Sequence, residues 1–167
     1  MPTDIQALFA MLEDRQLRYV VVGGLALVLH GIDRLTADVD LAVDLAPDEA
    51  TRLVDALEDG GYRATAPVDA RLLADPVVRA SWHRDRNMRV FSYWDTTGRR
   101  PTIDIFIVAP IPFEELWRDA LRVEIAKELA IPVASIPHLI RLKEMAGRSQ
   151  DLADIERLRA IVGNKES

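Results

Sequence analysis

Two apolar, β-branched runs in this chain carry aspartates at positions where strands normally deplete them. The first, Ala37 to Val43 (ADVDLAV), holds Asp38 and Asp40. The second, Thr102 to Val108 (TIDIFIV), holds Asp104. Residues two apart on a strand point to one face. Asp38 and Asp40 therefore project together while Val39 and Leu41 turn into a core. Asp104 likewise faces away from Ile103, Ile105 and Ile107. If the two strands are neighbours, the three carboxylates form one cluster on the polar face of a sheet.

Like charges this close repel unless protons or a cation offset them. A hard divalent ion such as Mg²⁺, or Mn²⁺ in its place, prefers oxygen ligands of this kind. One ion can hold a triphosphate, and a second can lower the pKa of an attacking hydroxyl. Asp38, Asp40 and Asp104 are thus candidate metal ligands and catalytic groups. Asp104 is the one expected to activate the hydroxyl, through the second ion or as a base. Upstream, the strand Tyr19 to Val22 ends in Gly23-Gly24, and a helix follows from Leu25 to His30, closed by Gly31. Small residues let backbone amides approach a phosphate, and a helix N-terminus adds aligned donors. Arg34 and Thr36 lie in the loop leading to Asp38, where Arg34 either contacts phosphate or holds a carboxylate. A lone Asp-x-Asp or Gly-Gly is usually structural; the combination is far more specific. Asp44 lies near the strand end and reads as solvent-facing or supporting.

The remaining periodicities build an α/β (α+β) domain around these runs. Thr3 to about Leu17 reads as a helix, with Thr3 and Gln6 resembling a capping box. Pro47 opens another helix that Gly60-Gly61 stops. Tyr62 to Ala66 reads as a peripheral strand, and Pro67 to Asp75 as a turn with a short helical piece. Met88 to Trp94 and Thr102 to Val108 form a strand pair joined by the Asp95–Pro101 loop. Past Pro110, a helix from Pro112 to about Ala120 precedes small strands or extended connections at Val123–Ile125 and Ile131–Val133. Ser135 caps a helix with Pro137 in its first turn, Gly147 ends it, and Ser149 starts a last helix to about Val162. The expected architecture is a mixed sheet, helices mainly on one face and a short helical C-terminal lobe. Residues 1–110 form its core and 111–167 a helical extension of the same domain. A doubly wound dinucleotide fold would need a fuller glycine turn than GGLALVLHG.

Composition narrows the classes. The 167 residues suffice for one good core. There is no cysteine, hence no disulfide, thiolate zinc site or cysteine nucleophile. A formal charge of −6 argues against broad nonspecific DNA coating but leaves room for a local basic pocket. The N-terminus lacks an uninterrupted apolar region, and no apolar run reaches membrane-spanning length. The expectation is a cytoplasmic chain without a membrane partner.

Val22-Gly23-Gly24, Asp38-Val39-Asp40 and Asp104 in TIDIFIV together resemble the nucleotidyltransferase superfamily related to DNA polymerase β. More narrowly, GGLALVLHGIDRLTADVDLAV looks like the AbiEii/AbiGii toxin-type branch and its small relatives. In the C-terminal segment Lys143, Arg148, Asp151 and Asp154 match the recurring polar positions of that branch. Two departures stand out. Many members have serine where this chain has Gly24, and typical AbiEii-type proteins carry a larger helical portion. The resemblance implies NTP binding by Gly23, Gly24, Arg34, Thr36 and Lys143, Mg²⁺ as cofactor, and transfer of a nucleoside monophosphate to a hydroxyl. The acceptor it favours is an RNA or tRNA end, as in a toxin with a cognate antitoxin. A small-molecule, aminoglycoside-type acceptor and a non-catalytic nucleotide sensor are the alternatives.

Other residues read more plainly. Lys143, amid Ile140, Leu142 and Met145, either snorkels past an apolar stripe or reaches the triphosphate. Arg148 with Asp151 reads as an architectural pair, and Asp154 as equally structural. The basic segment RASWHRDRNMR reads as a solvated connection with Trp82 packed on the sheet edge; the competing role is steering phosphates and stacking a base. His30 reads as a packing or capping residue and His138 as a first-turn surface residue.

Overall fold

A computed structural model describes residues 1–166. Its seven strands make one mixed sheet. In chain order they are β1 (Tyr19–Val22), β2 (Val39–Val43), β3 (Tyr62–Ala64), β4 (Val90–Asp95), β5 (Ile103–Phe106), β6 (Leu121–Ala126) and β7 (Leu129–Val133). In space the order is β3-β4-β5-β2-β1-β7-β6. β2 runs parallel to β5 and β1 parallel to β7; the other neighbours are antiparallel. The helices are α1 (Thr3–Asp14), α2 (Gly23–Leu29), α3 (Pro47–Asp59), α4 (Pro76–Arg86), α5 (Phe113–Asp119), α6 (Ile136–Ala146) and α7 (Ser149–Glu166). Among the described residues no helix is long and apolar enough to cross a membrane.

The alternation in β2 and β5 divides the sheet as the sequence predicts. Val39, Leu41, Val43, Ile103 and Ile105 are buried on one face, and Asp40, Ala42, Asp104 and Phe106 are half-buried on the other. α1 and α4 close the apolar face through stacked rings, Phe9 on Tyr19 and Trp82 on Phe91. α6 stands across a cleft from the other face, with Leu139 and Leu142 opposite Phe106 and Val108. The β4–β5 loop is sewn down by Asp95, which is 3% exposed. Its carboxylate accepts from the Arg99 and Arg100 amides and from the Arg100 guanidinium at 2.6 Å. The Arg100 bond outweighs the effect of burial and holds Asp95 well below the usual carboxylate range.

Some local expectations change and others hold. Thr3 and Gln6 make no capping box: Pro2 occupies the cap position without a side-chain bond, and Gln6 instead donates to the Met1 carbonyl. The short helical piece expected in Pro67–Asp75 does form, as a 3-10 helix at Ala70–Ala74. The basic segment is no solvated connection but α4, capped by Asp75, whose side chain accepts from the Val77 and Val78 amides. High charge hid the helical period there, although Trp82 does pack on the sheet. Past residue 110 the small strands expected around Val123–Ile125 and Ile131–Val133 do form, as β6 and β7, which pair and extend the sheet beyond β1.

Candidate active site

The site forms where β1 hands over to α2. Val22 pairs with Asp40 across the antiparallel β1–β2 ladder. The next residue, Gly23, takes φ +66°, and a Cβ there would sit 2.1 Å from Asp40 Oδ2. Only glycine satisfies both the left-handed backbone and the close approach. Gly23→Ala is therefore expected to destabilise the fold by about 2 kcal/mol and to push Asp40 aside. Chemical denaturation checks this, and an unchanged midpoint would contradict the packing argument. Gly24 is bare for a different reason: a Cβ would lie 3.0 Å from Thr36 Oγ1 and 3.6 Å from Arg34 Nε. Its amide hydrogen-bonds the Asp40 carboxylate.

Asp40 and Asp104 stand directly in register on neighbouring parallel strands. Ser92, in register with Asp104 from the other side, donates Oγ–H to Asp104 Oδ1 at 2.5 Å. Asp38 lies one residue before β2, in an exposed bend rather than within the strand, and its carbonyl accepts from Thr36 Oγ1 at 3.1 Å. Burial, then the charges of Asp104 and Asp38, push the Asp40 carboxyl up to about 6, against the opposing Gly24 amide and Lys143.

That strain is the observation against which a metal is tested. Three carboxylates, one of them raised by burial and by the charges of the other two, are hard oxygen donors suited to Mg²⁺. Among the described residues no three acidic, histidine or cysteine side chains are drawn into a ready-made metal-holding group. The donor chemistry fits Mg²⁺, then, while the side chains are not closed around one point.

The opposite wall comes from the C-terminal helices. Lys143 of α6, 9% exposed, places Nζ 3.2 Å from Asp151 and 2.8 Å from Asp154 of α7. Arg148 grips Asp151 at 2.8 Å, and Arg34 reaches back from the loop before β2 to pair with Asp154. Burial would push both aspartates up. Arg148 and Lys143 at Asp151, and Lys143 and Arg34 at Asp154, outweigh it and hold them below the ordinary range. At 2% exposure Asp154 ties the last helix to the site loop. Lys143 does not snorkel, and Arg34 holds a carboxylate.

These elements enclose a cleft of about 690 Å³. Gly23, Gly24, Arg34, Thr36, Asp38, Asp40 and Lys143 all line it, together with Arg148, Asp151, His83 and Arg89. Asp104 is in register with Asp40 but is not among the lining residues. Ser92 went unnoticed in the sequence; its one signal was a hydroxyl alternating with Phe91 and Tyr93 in an otherwise bulky strand. Trp82 is buried against Phe91 and cannot stack a base. His138 is no surface residue: it is 5% exposed, with Nε2 3.3 Å from Glu115 of α5. His30 bonds the Ala134 carbonyl at 2.8 Å and fastens α2 to the end of β7. Asp44 pairs with Arg18 at 2.6 Å.

A mixed sheet bearing in-register aspartates on parallel strands, beside a glycine turn between strand and helix, defines a nucleotidyltransferase fold. The chain belongs to a family of nucleotidyltransferases of unknown function (DUF6036), whose model matches residues 3–162. Solved structures share the architecture at low identity. The antibiotic-resistance factor ANT(2")-Ia in complex with adenylyl-2"-tobramycin superposes with TM-score 0.63 at 16% identity, over 98% of this chain and 90% of that one. Lincomycin-bound lincosamide antibiotic adenylyltransferase LnuA gives 0.62 at 16% identity, covering 96% and 98%. An antigenic nucleotidyltransferase-like protein from Paracoccidioides brasiliensis gives 0.57 at 16% identity, covering 96% and 74%. Comparison with curated proteins finds no match.

Proposed function

We propose that the chain transfers a nucleoside monophosphate from an NTP to a hydroxyl of a small polyhydroxylated acceptor. The observation that carries this is the register of Asp40 with Asp104 beside the Gly23–Gly24 turn. A cleft of about 690 Å³ suits a nucleotide with a small partner. Two of the structures sharing the fold hold an antibiotic or its adenylylated product, which adds support.

Asp38, Asp40 and Asp104 would hold Mg²⁺, with Mn²⁺ as a substitute. When bound, the ion neutralises the triphosphate and makes the acceptor hydroxyl more acidic. Lys143 presents a fixed positive charge to the phosphates, oriented by Asp151 and Asp154. Arg34 and Thr36 border the same end of the cleft. The acceptor oxygen bonds to the α-phosphorus, the bond to the bridging oxygen of the β-phosphate breaks, and pyrophosphate departs with that electron pair. With Asp104 Oδ1 engaged by Ser92, Oδ2 is the oxygen left to take the hydroxyl proton.

An RNA end, as in a toxin controlled by an antitoxin, is the second reading. The exposed Arg84, Arg86 and Arg89 at the end of α4 favour it. Calorimetric titration with each NTP, with and without Mg²⁺, followed by pyrophosphate release in the presence of polyhydroxylated compounds or RNA, tests both. We expect metal-dependent NTP binding and release driven by a small acceptor. Label transferred only to RNA favours the second reading. Metal-dependent binding without release from any acceptor favours a nucleotide sensor. Failure to bind any NTP with Mg²⁺ or Mn²⁺ refutes all three.

A further inference from the structure

We propose that the end of the cleft formed by His83 and Arg89 is an acceptor subsite for a phosphate group, so that the hydroxyl acceptor is itself phosphorylated. This rests on the nucleotidyl-transfer reading and adds the acceptor's charge.

The argument begins with the charges along the cleft. Arg34 is paired with Asp154, Lys143 with Asp151 and Asp154, and Arg148 with Asp151. Among the described residues lining the cleft, Arg89 is the one guanidinium without a carboxylate partner. The carboxylates of the lining are Asp38, Asp40 and Asp151. Asp151 is engaged by two cations, and the other two sit at the glycine turn. A polycationic acceptor would therefore find no free carboxylate at the His83 end. An anionic one finds a guanidinium and an imidazole.

The fold fixes the backbone at both positions. Trp82, one residue before His83, is buried and stacked on Phe91 at 5.4 Å between ring centroids. Asn87 closes α4 in the left-handed conformation at φ 52°, and the Met88 amide returns to the Trp82 carbonyl. The Arg89 carbonyl accepts from the Ile107 amide, fixing Arg89 beside the end of β5. His83 Nδ1 lies 3.3 Å from the Met88 carbonyl, which can only accept, so that nitrogen carries hydrogen and Nε2 is the free one. Between this end and the carboxylates, Val90, Phe106 and Val108 give an apolar floor on which the body of a sugar or nucleoside can rest.

The test uses one scaffold in three charge states. Binding of glucose 6-phosphate, glucose and glucosamine is measured by calorimetry on the protein loaded with Mg²⁺ and a non-hydrolysable NTP analogue. Glucose 6-phosphate should bind about tenfold more tightly than glucosamine, and Arg89→Ala should remove that advantage. Arg89→Lys should restore part of it, and affinity for the NTP analogue should be unchanged in both variants. Glucosamine binding as tightly as glucose 6-phosphate, or indifference to Arg89→Ala, overturns the proposal. Pyrophosphate release with an oligoribonucleotide bearing a free 3′-hydroxyl forms a further arm. If it outcompetes glucose 6-phosphate with the same dependence on Arg89, the phosphate belongs to an RNA end; otherwise it belongs to a sugar phosphate. If the NTP analogue fails to bind the unaltered protein, the transfer reading itself fails. If it binds but the anionic probe has no advantage, only the subsite is lost.

Discussion

Asp40→Asn should lower Mg²⁺-dependent transfer about a thousandfold while making the metal-free protein more stable at neutral pH. The two effects share one cause. Burial and the neighbouring Asp104 and Asp38 push the Asp40 carboxyl up to about 6, so its charged form is disfavoured in the folded state. A carboxyl raised on folding contributes stability that is fully present below its unfolded pKa of about 4 and is lost as pH rises through about 6. Asparagine carries no charge and escapes the loss, which is of order 3 kcal/mol at most. Melts of both proteins in chelator should nearly coincide near about pH 4 and separate by about pH 8, the variant being the more stable. A gap independent of pH would show that folding does not raise the Asp40 carboxyl. Full turnover in the variant would remove it from the chemistry.

Asp154→Ala should be the most damaging single change in the C-terminal half, costing about 4 kcal/mol and lowering Tm by roughly 10 °C. Lys143 and Arg34 both terminate on this carboxylate, and Lys143 is buried with it. Removing one partner of a buried pair leaves an uncompensated charge, whereas removing both can be neutral. The combination of Asp154→Leu with Lys143→Met should therefore recover most of the stability. It should not recover NTP affinity, because the ammonium proposed to meet the phosphates is gone. Scanning calorimetry and NTP titration on the single and double variants separate the two contributions. A double variant as unstable as the single one would mean that the loss arises in the packing of α7 rather than in the stranded charge.

Alternation alone exposed the two faces of β2 and β5, because a period of two survives whatever the partner strands are. Gly23 was legible for a related reason, although its sharper constraint, the 2.1 Å approach to Asp40, exists only once Val22 and Asp40 are paired. What sequence could not supply was register and distant pairing. Ser92 matters because it stands opposite Asp104, and Arg34 because Asp154 lies 120 residues further on. His138 sat in the first turn of a helix and read as exposed until α5 covered it. α4 was missed because four basic or acidic side chains in its last turns masked its period, while a single residue, Trp82, anchors it.

The central place of β1 bears on how the chain matures. β1 is hydrogen-bonded on one side to β2, which follows soon after, and on the other to β7, through Val21 and Val133. During synthesis, at about 5–20 residues per second, the valine edge of β1 waits of order ten seconds before its second neighbour leaves the ribosome. In that interval the most apolar strand of the sheet is an open template for another nascent chain. Folding to completion is therefore a late event, and the same stretch that closes the sheet also delivers α6, with Lys143, to the cleft. A molecule arrested before β7 is added would have its aspartates but neither a finished core nor the Lys143 wall of the cleft. The fold thus makes completion of the cleft depend on β7, the last strand to join the sheet.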